Sequence, residues 1–171
     1  MDSYLKLAKD TIETFLKTNQ IPPLPKDLPK EMLKKKAGAF VSIHQKSGEL
    51  RGCIGTFLPT KPNLALEITT NAISSATQDP RFPPLTKEEL DNLTCSVDIL
   101  SLPKPATQKQ INPKKYGLIV QSEDGRKGLL LPDLPGVDTP EQQITICCQK
   151  AGINPREKIK FQIFTVERHQ T

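Results

Sequence analysis

The groups best suited to chemistry in this chain stand together in the run Leu50-Arg51-Gly52-Cys53-Ile54-Gly55-Thr56, where a guanidinium, a thiol and two glycines fall between Arg51 and Gly55. A cysteine becomes a nucleophile as its thiolate, and a free thiol titrates near pH ~8.5. A cation beside Cys53, Arg51 or His44, would raise the thiolate fraction and make Cys53 a candidate nucleophile or redox-active thiol. The competing role is a half-buried small residue that lets the strand pack tightly. Arg51 offers a planar fork suited to a carboxylate or phosphate, and a structural ion pair with Asp79 or Glu49 competes with that use. Arg81 and Arg126 are candidates to join Arg51 in holding an anion. Gly52 and Gly55 mark a place where something comes close to the backbone, since glycine otherwise weakens a strand interior.

These side chains need a sheet to hold them. Alternation along the strand sends Arg51, Cys53 and Gly55 to one face and Leu50, Gly52, Ile54 and Thr56 to the other. Ala39 to Gln45 also alternates, and Ser47-Gly48 supplies a turn, so the two strands are expected to form a hairpin. A two-residue loop would pair Lys46 with Glu49, His44 with Arg51, Ile43 with Gly52 and Ser42 with Cys53. That register gathers Val41, Ile43, Leu50 and Ile54 on one face and Ser42, His44, Arg51 and Cys53 on the other; a three-residue loop would undo it.

The other elements follow from periodicity and punctuation. Ser3 is expected to cap a helix to about Thr18, its stripe formed by Leu5, Ala8, Ile12, Phe15 and Leu16. Four prolines between Gln20 and Lys30 predict an extended connector, and Lys34-Lys35-Lys36 a solvated strand entry. A second helix follows Thr60 or Lys61, with Pro62 in its first turn and Leu64, Ala65, Ile68, Ala72 and Ala76 inward. Pro80, Pro83 and Pro84 stiffen the loop that presents Asp79 and Arg81, and Thr86 with Glu89 has capping-box spacing for a short helix.

Leu93 to Leu100 alternates, with Cys95, Val97 and Ile99 on the apolar side. A polar connector through Lys114 leads to a second hairpin around Asp124-Gly125, whose apolar strands read as the central sheet. Thr139 and Pro140 open a helix that Gly152 closes, with Cys147 and Cys148 on its buried stripe. A last strand over about Lys160 to Glu167 leaves His169 in a frayed tail.

Three blocks carry a resemblance. Glu49-Leu50-Arg51-Gly52-Cys53-Ile54-Gly55-Thr56-Phe57, the run Asn71 to Leu85 containing Thr77-Gln78-Asp79-Pro80-Arg81-Phe82-Pro83-Pro84, and Gly125-Arg126-Lys127-Gly128-Leu129-Leu130-Leu131-Pro132 together resemble the AMMECR domain family over nearly the whole chain. The resemblance implies an α+β fold of two intimately packed subdomains, with mostly antiparallel sheet and packed helices, filling residues 1–171 as a single AMMECR-like domain. It implies no settled reaction and no named cofactor. In bacteria and archaea such domains occur beside Memo-like and radical SAM proteins, the AmmeMemoRadiSam group, so a modification pathway with those partners is implied.

Composition bounds the rest. A chain of 171 residues is long enough for a substantial core, and a net charge of +5 is compatible with an anionic ligand or nucleic acid. The lysines are scattered, however, and tryptophan is absent, which leaves little for a base-stacking platform. Four cysteines without a CxxC pair, and Cys and His residues without close-spaced ligand pairs, predict free thiols and no metal site. Met1-Asp2-Ser3-Tyr4 shows no signal-peptide pattern, and the expected location is cytoplasmic. The leading expectation is an enzyme or enzyme partner with a small cleft at the signature hairpin and the Asp79–Phe82 loop. The alternative is a non-catalytic adaptor or nucleic-acid-binding module using the same groove.

Overall fold

The computed structural model describes residues 2–170. The chain divides into two units, each with its own core: one runs to Leu100 and resumes at Glu167, and the other is Ser101–Val166.

In the first unit, α1 (Ser3–Thr18) starts from Asp2, whose carboxylate accepts the amides of Tyr4 and Leu5, one residue earlier than Ser3 would have capped it. Asn19 ends it in the left-handed conformation. The proline connector leads into a five-residue helix, α2 (Lys30–Lys34), whose Met32 is fully buried. Strands β1 (Ala39–Gln45) and β2 (Leu50–Gly55) form the expected hairpin, α3 (Leu64–Thr77) follows from an Asn63 cap, and β3 (Leu93–Leu100) and β8 (Val166–Gln170) complete a sheet of order β2-β1-β3-β8. The Thr86 capping box is present and starts a 3-10 turn over Lys87–Asn92.

Helices α1 and α3 pack on each other and on one face of this sheet. That face supplies Ala39, Val41, Ile43, Val97 and Ile99, which share a core with Leu5, Ala8, Ile12, Leu64, Ala65, Ile68, Ala72 and Ala76. All five residues of the expected α3 stripe are buried.

The hairpin reaches the expected pairing by an unexpected route. Its loop has three residues, closed by Gln45 and Glu49, with Gly48 at φ 96. On its own this loop would shift every downstream pair by one. A bulge at Arg51 restores the count, so that His44 faces Leu50 while Ile43 faces Gly52 and Ser42 faces Cys53. The expected pairing of His44 with Arg51 is therefore wrong, and that of Ser42 with Cys53 is right.

In the second unit the sheet order is β4-β7-β5-β6, built from β4 (Lys104–Ala106), β5 (Gly117–Ser122), β6 (Lys127–Leu130) and β7 (Ile159–Phe164). The connector after Leu100 thus contains a strand, and Pro105 is tolerated there because β4 lies at an edge. Strand β5 is internal as its apolar run suggests, but it belongs to one of two sheets, not to a single central one. Helix α4 (Pro140–Ala151) has the expected Thr139 cap and Gly152 stop, and buries Ile144, Cys147 and Cys148.

The expected last strand is two strands, one in each sheet, separated at Thr165. His169 is consequently not frayed: it stacks on Tyr4 at 4.2 Å and its Nδ1 lies 3.0 Å from an Asp2 carboxylate oxygen. No helix among the described residues is long and apolar enough to cross a membrane.

Candidate functional site

The two signature glycines serve the scaffold. A Cβ on Gly52 would stand 2.3 Å from the Ser75 carbonyl oxygen, so what comes close to the backbone there is helix α3. A Cβ on Gly55 would stand 2.2 Å from the Phe40 ring. The tight docking of α3 lets Ser75 Oγ donate to the Val41 carbonyl at 2.7 Å and accept the Ile54 amide at 2.8 Å, bridging the paired strands with a hydroxyl.

Arg51 is also occupied. Displaced by the bulge, its side chain is 10% exposed; Nε and Nη2 donate to the two Glu89 carboxylate oxygens at 2.8 and 3.1 Å, and Nη1 donates to the Pro83 carbonyl at 2.9 Å. Neither expected partner, Asp79 or Glu49, holds it. Glu89 also accepts the Thr86 amide, so one carboxylate caps the 3-10 turn and clamps the arginine. Burial pushes the Glu89 carboxyl up, and the hydrogen bonds from Arg51 and Thr86 together with the Arg51 charge outweigh it and leave the group below its ordinary range. The capping-box spacing identified Glu89 in the sequence, but nothing local revealed its second duty.

Asp79 and Arg81 do come together at the signature strand. The Asp79 side chain, 2% exposed, accepts the Cys53 amide at 2.8 Å and so satisfies an outward-pointing donor of the edge strand β2. It also takes Arg81 Nε at 3.0 Å and Nη2 at 2.8 Å. The Arg81 hydrogen bonds hold its carboxyl well below the usual range against the opposing effect of burial. Arg81 reaches the Cys53 carbonyl at 3.4 Å, its side chain stays 55% exposed, and its Nη1 has no protein partner among the described residues. The Phe82 ring lies beneath both guanidinium groups, 5.9 Å from Arg51 and 5.5 Å from Arg81.

Cys53 faces the polar side of the sheet. Ser42 Oγ–H donates to its Sγ at 3.1 Å, as expected for directly opposed residues of adjacent strands. The same row continues into β3, where Ser96 pairs with Ser42; Asp98 sits in the next row opposite Phe40 and receives Arg168 of β8 at 2.8 and 3.1 Å. Burial pushes the Cys53 thiol up. The Ser42 hydrogen bond and the Arg81 charge oppose this, Asp98 and Asp79 add to it, and the net shift is upward. The expected depression of the thiol by Arg51 does not occur, because that guanidinium is spent on Glu89. His44 lies on the same polar face as Ser42, two pairs closer to the loop.

Arg126 is engaged inside the second unit. Its Nε meets Asp124 at 2.9 Å, its Nη2 meets Glu157 at 2.6 Å, and its Nη1 donates to the Gly152 carbonyl. Among the described residues no three His, Cys, Asp or Glu side chains are grouped so as to hold a metal ion. Sequence reasoning missed Ser96, Asp98 and Arg168; alternation puts Ser96 and Asp98 opposite the apolar side of β3, and the missing information is that β3 lies beside β1.

The three sequence blocks thus meet different fates: the first two assemble one constellation around Cys53, and the third builds a separate turn. The AMMECR1 family model matches residues 5–169. The chain belongs to the AMMECR1 family. A protein of Thermotoga maritima is 50% identical over 98% of this chain and 97% of its own length. One from Clostridium acetobutylicum is 44% identical over 99% of this chain, which corresponds to 36% of that longer protein. The crystal structure of the uncharacterized protein PH0010 from Pyrococcus horikoshii is similar at a TM-score of 0.86 and 37% identity, covering 96% of this chain and 88% of that one. The expected α+β architecture with antiparallel sheets is therefore that of the family.

Proposed function

We propose that this AMMECR1-family protein is an enzyme, or the partner of one, in a modification pathway alongside Memo-like and radical SAM proteins, and that it binds a small anionic ligand beside Cys53. One juxtaposition carries the reading. A half-buried thiol touches a hydroxyl, and next to it stands a half-exposed guanidinium that Asp79 fixes along one edge while Nη1 stays available. A preorganised guanidinium of this kind suits a carboxylate or phosphate oxygen, because its orientation is fixed before the ligand arrives. In this reading Arg81 is the anion-facing group, Asp79 positions it, Ser42 orients the thiol, and Arg51, Gly52 and Gly55 build the frame.

The thiol is protonated at neutral pH, so a nucleophilic role begins with loss of that proton as the ligand binds. Titration with inorganic phosphate and with short carboxylates, followed by amide chemical shifts, tests the site. Shifts are expected at Cys53, Asp79 and Arg81, with affinity about tenfold weaker in Arg81→Ala. Shifts elsewhere, or shifts indifferent to Arg81→Ala, would refute it.

The upward displacement of the Cys53 thiol favours a second reading, in which the same groove belongs to a non-catalytic adaptor or nucleic-acid-binding module. Under that reading Cys53→Ser leaves complex formation intact, and RNA affinity falls steeply with salt.

A further inference from the structure

A cavity of the first unit lies away from Cys53. It occupies about 590 Å³ between α1 and the 3-10 turn, within the range of small-molecule sites. Its floor is aliphatic, formed by Leu5, Ile12, Leu90, Leu93 and the Cys95 thiol, and no aromatic side chain lines it. Its rim is charged with a clear sign: Lys9, Lys17, Lys46 and Lys87 against Glu13 and Asp91.

Two of the lysines are already engaged, Lys17 by Glu13 and Lys87 loosely by Glu88 at 4.0 Å. Lys9 and Lys46 form no salt bridge among the described residues; Lys9 acts electrostatically on Glu13, which Lys17 already pairs. Lys9 lines the same cavity as Cys95 and acts electrostatically on its thiol. An apolar floor under unpaired cations matches a ligand with one aliphatic end and one anionic end. A neutral lipid would leave the cations unused, and a compact anion would leave the floor unused.

We propose that this cavity binds a free medium-chain aliphatic carboxylate, its chain on Leu5, Ile12, Leu90, Leu93 and Cys95 and its carboxylate between Lys9 and Lys46. The site is independent of the Cys53 constellation, since the two share no residue.

Decanoate, kept below its micellar concentration, is the probe. Two readouts are taken on the folded chain: calorimetric affinity, and protection of Cys95 from alkylation measured by peptide mass spectrometry. Decanoate is expected to slow Cys95 modification without changing that of Cys147. The Lys9→Glu, Lys46→Glu double variant should weaken binding about tenfold, while Lys6→Glu on the same helix should not. Both lysines are exposed, so the variants leave the core intact.

Decanol binding as tightly as decanoate would overturn the proposal, as would unaltered affinity in the double variant. Protection of Cys95 that rises with protein concentration in the absence of decanoate would assign the cavity to a second copy of the chain. Protection by an acidic amphipathic peptide but not by decanoate would assign it to a protein partner. Either result would reject the carboxylate.

Discussion

Arg51 and Arg81 stand near the same strand and phenyl ring, yet their surroundings give them opposite tasks. Arg51 is buried and donates through Nε, Nη1 and Nη2 to Glu89 and Pro83, so its removal leaves a carboxylate and a carbonyl without their donor. Arg51→Ala is expected to cost about 3 kcal/mol in urea denaturation, and Glu89→Gln a smaller amount. A double-mutant cycle should show strong coupling between them; additive effects would contradict the clamp.

Asp79 gives a prediction in pH. Its carboxyl is depressed in the folded protein, so the ionised form contributes stability that is fully present above the unfolded value of about 4 and lost as pH falls through the folded value. The stability advantage of the native protein over Asp79→Asn should therefore be constant near neutrality and shrink on acidification below about pH 4. An advantage independent of pH in that window would remove the charge from the explanation.

Among the elements, the approach of α3 to β2 decides the local architecture. Ser75 lies across the Val41 and Ile54 pair only because position 52 has no side chain, and the helix backbone that a Cβ would meet has no rotamer with which to escape. Gly52→Ala is expected to destabilise the protein by about 3 kcal/mol in chemical denaturation, as overpacking against fixed backbone. A change within about 0.5 kcal/mol would show that the helix can withdraw.

The same elements show what was legible in the sequence. Apolar periodicity located α1, α3, β3 and α4, and the Thr139, Pro140 and Gly152 signals fixed both ends of α4, because these depend on residues near in sequence. The Ser42 and Cys53 pairing was legible from the requirement that Val41, Ile43 and Ile54 share one face, although loop and bulge each departed from the simplest hairpin and leave Leu50, expected on that face, exposed opposite His44. Glu89 as the partner of Arg51, and Asp98 with Arg168 on the polar face, were not legible: these pairs are separated by 38 and 70 residues, and only the fold brings them together.

For the whole molecule, each unit commits its cysteines differently. Cys147 and Cys148 are interior to the core of the second unit, and burial pushes Cys147 up to about 12. Cys95 belongs to the helix-covered face of the first unit, where burial pushes it up to about 11. Cys53 alone faces the polar side of its sheet, with a hydroxyl and a guanidinium as neighbours and a smaller upward displacement. This distribution makes Cys53 the one thiol whose reactivity reports on the proposed site.

The most direct test is the pH dependence of alkylation at all four cysteines in the folded protein, resolved by peptide mass spectrometry. Cys53 should react first, with a midpoint above the ~8.5 of a free thiol, and Arg81→Ala should move that midpoint higher still. A Cys53 as inert as Cys147, or one that reacts well below pH 8.5 and ignores Arg81→Ala, would contradict the placement of the site on this face.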